Sequence, residues 1–507
     1  MGPDHRCEWR DRAEALQLEL DKTRVQLTNA LADVALLREQ LGTVQATLEK
    51  LQRHVFGQRS EKIPRVEEAI RDPARAEAAR ISALKKRREN AEQRRQLVTR
   101  RIEHKVREDQ KTCPKCGGHD FTRIGEGTPT EIYELVPGRV ERQRHIQEKL
   151  RCRCGEAIVT ADGPARVYDK ARFGPNFMAQ IAVSKCADSL PLYRQAKAYR
   201  RVGVQVDDST LGDLFRRTAE ITKPLAERLL ELVAEKEIVL ADETTQRVQA
   251  KGKTRTAWLW SFIARDEAEK EIIAYVFSRS RSGETPVRVL GATIGKLLVD
   301  GYSGYNKVTV PGGRERAGCF AHLRRKFFDA QSTAPDAAKQ AMEYIHDLYR
   351  IERIAREQDI LGSPEHLEMR QTDSAVILEA FKAWLDEAES LHPPKSPIGE
   401  AIRYALAQWD ALTLFLTDPH LPIDNNASER ALRVSALGRK NFLFVGHDEA
   451  GENLAGLYSL VATCETNGVN PVEYLADVLL RVQTHPASRI DELLPHNWTP
   501  PQREPSA

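Results

Sequence analysis

The sequence predicts a layered α/β domain with a mixed sheet at its centre and helices before, within and after it. Residues 237–242, 256–263 and 271–277 are apolar, β-branched or aromatic runs joined by short polar turns at residues 251–253 and 265–270, the pattern of strands linked by hairpins. A helix from Thr285 then leads to a fourth run, Lys296 to Val299, which ends at Asp300-Gly301-Tyr302. Hairpins followed by a helix and another strand give the sheet its mixed character.

The chain opens on heptads. Leu20, Leu27, Val34, Leu41, Leu48 and Val55 recur every seven residues, with Ala30, Leu37, Val44 and Leu51 on a second series three residues on. Residues 1–56 are therefore expected to form a left-handed, leucine-zipper-like coiled coil that pairs protomers; the alternative is an amphipathic helix folded back on its own domain. Pro64 closes this helix. Residues 57–112 follow as a basic helical linker or DNA-binding segment. Between Arg59 and Lys111 stand 17 Lys and Arg against 10 Asp and Glu, a balance that a solvated helix and a contact to DNA phosphates explain equally well.

Residues 113–165 carry Cys113-x2-Cys116 and Cys152-x-Cys154, with 35 residues between the pairs. Residues 131–150 alternate apolar and charged around Pro137-Gly138, as a β-hairpin would. Four thiolates on two turns, each followed by glycine, suit one tetrahedral structural zinc and leave no open position for a catalytic one; free thiols are the alternative. Residues 166–235 read as a helical DNA-binding or connector region punctuated by Pro191 and Pro224.

The first part of the core is assigned to residues 236–330. Residues 331–416 are helical, interrupted at Ser363-Pro364 and His392-Pro393-Pro394. Residues 417–465 complete the core and include a helix to Leu437 opened by Asp424-Asn425-Asn426, all good N-cap residues. Residues 466–507 supply a last helix, and a tail from His485, rich in proline and polar residues, that is expected to be loosely ordered.

Composition narrows the functional classes. At 507 residues the chain is long enough for three or four domains of ~150 residues. With 41% hydrophobic and 30% charged residues, neither intrinsic disorder nor an integral membrane protein is expected for most of the chain. No run approaches the ~18 apolar residues of a membrane helix, and residues 1–12 are too charged for a secretory leader, so a cytoplasmic location is expected. The 77 Lys and Arg nearly balance 74 Asp and Glu, so local charge says more about partners than the net +3 does.

Asp242 and Asp300 each stand at the carboxyl end of an apolar β run, where side chains project into a common crevice. Two buried carboxylates repel unless a cation joins them, and magnesium or manganese prefers such oxygens. Two such ions can activate a hydroxyl and stabilise the leaving oxygen of a phosphodiester. Cys319-x2-His322 stands at a strand end before a basic helix bearing Arg324, Arg325 and Lys326; Arg430, Arg433, Arg439 and Lys440 lie on a later helix and its exit. Both basic groups are candidates for gripping DNA phosphates.

The motifs Phe56-Gly57-Gln58-Arg59-Ser60-Glu61-Lys62, Leu240-Ala241-Asp242-Glu243-Thr244-Thr245-Gln246-Arg247 and Asp300-Gly301-Tyr302-Ser303-Gly304-Tyr305 resemble those of insertion-sequence-66 family transposases, a match that runs in order to about Pro495. So do Cys319-Phe320-Ala321-His322-Leu323-Arg324-Arg325-Lys326, Asp424-Asn425-Asn426-Ala427-Ser428-Glu429-Arg430 and Gly438-Arg439-Lys440-Asn441-Phe442-Leu443-Phe444. The resemblance implies an RNase H-like catalytic domain with a helical insertion, preceded by the coiled coil and a small zinc-binding β module.

It further implies a metal-binding Asp, Asp, Glu triad in which Asp242 and Asp300 match the first two acids and Glu429 the third; Asp424 is a rival for that third place. By the residues alone, Glu429 would be a helical Glu paired with Arg433. Cys319 and His322 match a Cys-x2-His signature of other transposases, with an auxiliary or merely structural role. The implied activity is DNA strand cleavage at element ends and strand transfer into target DNA, in the bacterial nucleoid, with magnesium or manganese at the triad, structural zinc, double-stranded DNA, a second protomer and accessory proteins of the element as partners. The alternative is a catalytically inactive, transposase-derived DNA-binding protein or repressor.

Overall fold

The computed structural model describes residues 140–151, 158–161 and 163–500, with isolated helical positions between Arg12 and Glu92. The expected coiled coil and basic segment lie largely outside the described residues, and Cys113, Cys116, Cys152 and Cys154 lie wholly outside them. Leu20, Leu27 and Leu41 are described, helical and exposed. No helix among the described residues is long and apolar enough to cross a membrane.

β1 (Lys149–Arg151) and β2 (Ile158–Thr160) pair antiparallel, Leu150 opposite Val159. The hairpin expected over residues 131–150 is not what forms in its described part: residues 140–148 have no regular structure, and Lys149–Arg151 pairs forward in the chain instead. Three helices follow: α1 (Pro175–Cys186), α2 (Leu192–Arg201) and α3 (Asp208–Glu235). Pro224 lies inside α3 without ending it. One lost backbone bond and a steric clash cost ~3 kcal/mol, and this 28-residue helix, buried along Leu211, Leu214, Leu225, Leu229 and Val233, absorbs that.

The central sheet comprises β3 (Ile238–Ala250), β4 (Lys253–Arg265), β5 (Glu271–Ser278), β6 (Gly295–Leu298) and β7 (Arg314–Ala317), in the order β5-β4-β3-β6-β7. β5, β4 and β3 are antiparallel; β3, β6 and β7 are parallel, with α4 (Glu284–Leu290) between β5 and β6. Sequence patterning misses β7 because Arg314-Glu315-Arg316-Ala317 reads as a polar loop. Arg314 is in fact 1% exposed and donates to the carbonyls of Ala234 (2.7 Å), Lys236 (2.9 Å) and Lys296 (3.2 Å), stitching the end of α3 to β6.

α5 (Phe320–Ala330) leads into the expected helical stretch: α6 (Pro335–Glu357), α7 (Pro364–Met369), α8 (Ala375–Leu391), α9 (Pro397–Ala407) and α10 (Trp409–Thr413). The chain then returns to the sheet with α11 (Asn426–Phe442), α12 (Asp448–Thr466) and α13 (Pro471–Arg481). α11 packs on β3 and β4, and α12 on β5 and α3.

α12 also finishes the free edge of β5. Ser459 Oγ accepts the Tyr275 amide (2.8 Å), Thr463 Oγ1 accepts the Ile273 amide (3.1 Å), and Asn467 Nδ2 donates to the Glu271 carbonyl (2.8 Å). Residues four apart share one helix face, so this polar stripe meets every second residue of the strand. The tail from His485, expected to be loose, is packed through Trp498. Leu493 and Leu494 are fully buried, and the Trp498 indole donates to Asp477 at 2.8 Å.

Candidate active site

Parallel pairing puts Leu240 of β3 opposite Leu298 of β6. Asp242 and Asp300 each follow by two residues, so they sit side by side on one face, on backbones about 4.8 Å apart by strand spacing. Asp242 is half-buried and accepts a hydrogen bond from the Glu243 amide (2.8 Å). Burial first, and then the charges of Glu243, Asp300 and Glu429, push its carboxyl up to about 7.

The Asp300 turn is held from several sides. Its carboxylate accepts the Tyr302 amide (2.9 Å), while Arg316 donates to the carbonyls of Asp300 and Tyr302 and to Oδ1 of Asn306 (2.6 Å). Gly301 is required by close approach: a Cβ there would stand 2.5 Å from the ring of Tyr404, which α9 lays over the turn. Beside it Glu243, with its side chain 2% exposed, accepts from Arg281 (2.6 and 2.8 Å) and from the Tyr305 hydroxyl (2.6 Å). The Arg281 guanidinium lies 3.9 Å from the Tyr302 ring centroid, so this group braces the aspartate turn.

Asn425, fully buried, joins three separate stretches of chain. It occupies the N-cap position of α11, but its side chain does not cap the helix as expected. Nδ2 donates instead to the carbonyl of Ala241, one residue before Asp242 (2.8 Å). Its amide donates to Sγ of Cys319 (3.2 Å), and its carbonyl accepts the Glu429 amide (3.3 Å). Asp424, the rival third acid, is occupied by the Asn426 amide (3.0 Å) and the Tyr349 hydroxyl of α6 (2.8 Å).

Glu429 sits one turn into α11 and faces α5 rather than Arg433. Oε2 lies 3.5 Å from Arg325 and Oε1 3.9 Å from Nε2 of His322. Oε1 of Glu429 and Nδ1 of His322 are buried without a hydrogen-bond partner. Burial lowers the affinity of His322 for its proton, with Arg325 and Lys326 adding to the effect against the carboxylates. Among the described residues no three His, Cys, Asp or Glu side chains close round one point as an ion cage. The donor set nevertheless suits a hard cation: all three acids offer oxygen, Asp242 resists ionising among its neighbours, and Glu429 holds an unsatisfied buried oxygen.

The other expected residues divide. Arg430, Arg433 and Lys440 are exposed on α11. Arg439, expected to grip phosphate, instead donates to the carbonyl and Oγ1 of Thr245 (2.6 Å to the latter), because β3 extends alongside α11. Arg325 is engaged with Glu429, Lys326 lies 4.6 Å from the Tyr404 ring centroid, and Arg324 is partly buried. Cys319 is a buried thiol pushed up to about 12 by burial, a structural N-cap residue of α5. Sequence reasoning missed Asn425 and the Glu243–Arg281–Tyr305 group; an acid directly beside Asp242 was the available signal for the latter.

Fold and site together define an α/β protein in which Asp242, expected at a strand end but lying inside β3 because that strand runs on to Ala250, and Asp300, two residues past the end of β6, stand on neighbouring parallel strands, with Glu429 on a helix that returns from far along the chain. The chain belongs to the IS66 transposase family: the family model described as "Transposase IS66 family" matches residues 170–453. The IS66 C-terminal element matches residues 459–496, and the zinc-finger binding domain of transposase IS66 matches residues 110–155, which include all four expected zinc cysteines. Similar chains from Sinorhizobium fredii (strain NBRC 101917 / NGR234) include the uncharacterized protein y4qI, 37% identical over 76% of this chain and 74% of that one, and the uncharacterized protein y4hP, 31% identical over 89% and 88%.

Proposed function

We propose that this chain is a DDE transposase that cleaves DNA at the ends of its element and joins them to target DNA, using Asp242, Asp300 and Glu429. What supports this reading is that Asp242 and Asp300 follow paired positions of two neighbouring parallel strands, and that the charges of Asp300 and Glu429 both bear on Asp242. The strand order β5-β4-β3-β6-β7, with the first two acids on its adjacent central parallel strands, supports an RNase H-like domain. Residues 331–416 are then its helical insertion.

In the first reaction a water oxygen attacks phosphorus, the bond from phosphorus to the 3′ oxygen breaks, and a 3′-hydroxyl is freed. In the second that hydroxyl attacks a target phosphodiester and displaces the target's own 3′ oxygen. Magnesium or manganese, held by the three carboxylates, would neutralise the attacking and leaving oxygens. The chain's own contribution is placement: Asn425 sets Glu429 against β3, Arg316 and Tyr404 set Asp300, and Arg325 brings positive charge to the site. His322, whose affinity for a proton burial lowers, stands beside Glu429 and can orient a flanking strand. Zinc at Cys113, Cys116, Cys152 and Cys154, pairing through the heptads, and accessory proteins of the element complete the proposal.

Strand-transfer assays on pre-cleaved element ends test it. Asp242→Asn, Asp300→Asn and Glu429→Gln should each lower joining by at least ~10³-fold with DNA binding retained. Joining at the wild-type level in all three would end the catalytic assignment and leave a DNA-binding protein without it.

A further inference from the structure

The side of α11 away from the sheet carries a patterned surface. Arg430, Arg433, Leu437 and Lys440 recur at helical spacing and are all exposed, and the stripe runs on into the exposed pair Leu443-Phe444. Leu437, Leu443 and Phe444 are 50%, 62% and 39% exposed. None of Arg430, Arg433 and Lys440 forms an ion pair among the described residues, whereas neighbouring Arg439 is tied to Thr245.

The tip is strained and yet firmly anchored. Leu443 has φ +57° and ψ −47°, and the Phe444 amide donates to the Phe442 carbonyl (2.5 Å), which makes a tight γ-turn of the positive-φ form that non-glycine residues rarely adopt. One residue later, Val445 pairs with β3: its amide donates to the Arg247 carbonyl (2.9 Å) and its carbonyl accepts the Gln249 amide (2.8 Å). The fold thus holds Leu443 and Phe444 outward between the end of α11 and the buried, anchored Val445.

We infer that this stripe is a DNA contact in which the cations follow the phosphates and the Leu443-Phe444 tip stacks on a base out of its pair. The occupant follows from charge and shape together. A row of unpaired cations suits a polyanion, and an aromatic face beside such a row is the sequence-tolerant way to hold an unstacked base. An apolar projection at a basic surface is also how proteins open a base step. The tip stands thirteen residues of helix beyond Glu429, about 20 Å, a length that matches roughly six base pairs at ~3.4 Å per pair. The inference rests on the DNA-processing reading above and deepens it.

The test is binding of the full-length protein, by fluorescence anisotropy, to a fully paired duplex and to the same duplex with a short central mismatch bubble. The wild type should prefer the bubble by on the order of tenfold, as one stacked base provides. Phe444→Ala should abolish that preference and leave duplex affinity within about twofold. Leu443→Gly, which removes the strained side chain, should also reduce the preference while its thermal midpoint is maintained or raised. Lys440→Gln should weaken both DNAs alike and flatten the salt dependence. Equal wild-type affinity for the two DNAs, or an undiminished preference in Phe444→Ala, overturns the tip's role and leaves the transposase reading standing. Absence of binding to either DNA overturns both.

Discussion

Near neutral pH the Asp242 carboxyl is poised between its two states, because burial and three neighbouring acids hold it at about 7 against an ordinary value of 3.8. The folded chain therefore keeps, between about pH 4 and 7, a proton that the unfolded chain has released. Stability falls as pH rises through that window and stays reduced above it, by at most ~4 kcal/mol. In chelator-treated buffer at pH 8, Asp242→Asn should raise the thermal midpoint by several degrees, and at pH 4 it should change little. Added magnesium should raise the wild-type midpoint more than the variant's; equal shifts would place the cation elsewhere. Asn425→Ala is expected to act in the opposite sense at every pH. It strands the buried Ala241 carbonyl, costing about 1–3 kcal/mol by denaturant titration, and frees the turn that aims Glu429.

At the scale of elements, the join between α12 and β5 makes the sharpest prediction. Ser459→Ala combined with Thr463→Val removes the acceptors for two buried strand amides, which should cost about 2–6 kcal/mol together and promote aggregation through the uncovered edge, read by light scattering on warming. This scale also shows what the sequence could reveal. The four apolar runs were legible because strand periodicity and turn chemistry agree there; Asp300 does follow a strand end, whereas β3 runs eight residues past Asp242, because the polar stretch from Glu243 to Ala250 pairs with β4 and hides its strand character from hydrophobic patterning. β7 was hidden because Arg314 spends its charge on backbone carbonyls, and Pro224 misled because tertiary packing outweighed a local preference. Glu429 was singled out only through family resemblance, since nothing local separates it from other helical glutamates. Asn425 was visible as a helix-start residue, but its bond to Ala241 spans 184 positions and leaves no local trace.

Across the whole molecule, the helices between α5 and α11 do more than lengthen the chain. Tyr349 of α6 holds Asp424 and Tyr404 of α9 covers Gly301, so these helices touch the Asp300 turn and the start of the helix that carries Glu429. Tyr349→Phe should lower strand transfer by about tenfold, with its unfolding free energy changed by no more than about 1.5 kcal/mol, the worth of one hydrogen bond; a proportionate loss of both would make the contact purely structural. The same arrangement bears on when the proposed cleavage could begin. Glu429 is made long after the two aspartates and is set by Asn425, which precedes it by only four positions. On the proposed reading, a nascent chain still on the ribosome, or one cut short by a premature stop before α11, would own two of its acids and no working scissors, so cutting waits until α11 has been made.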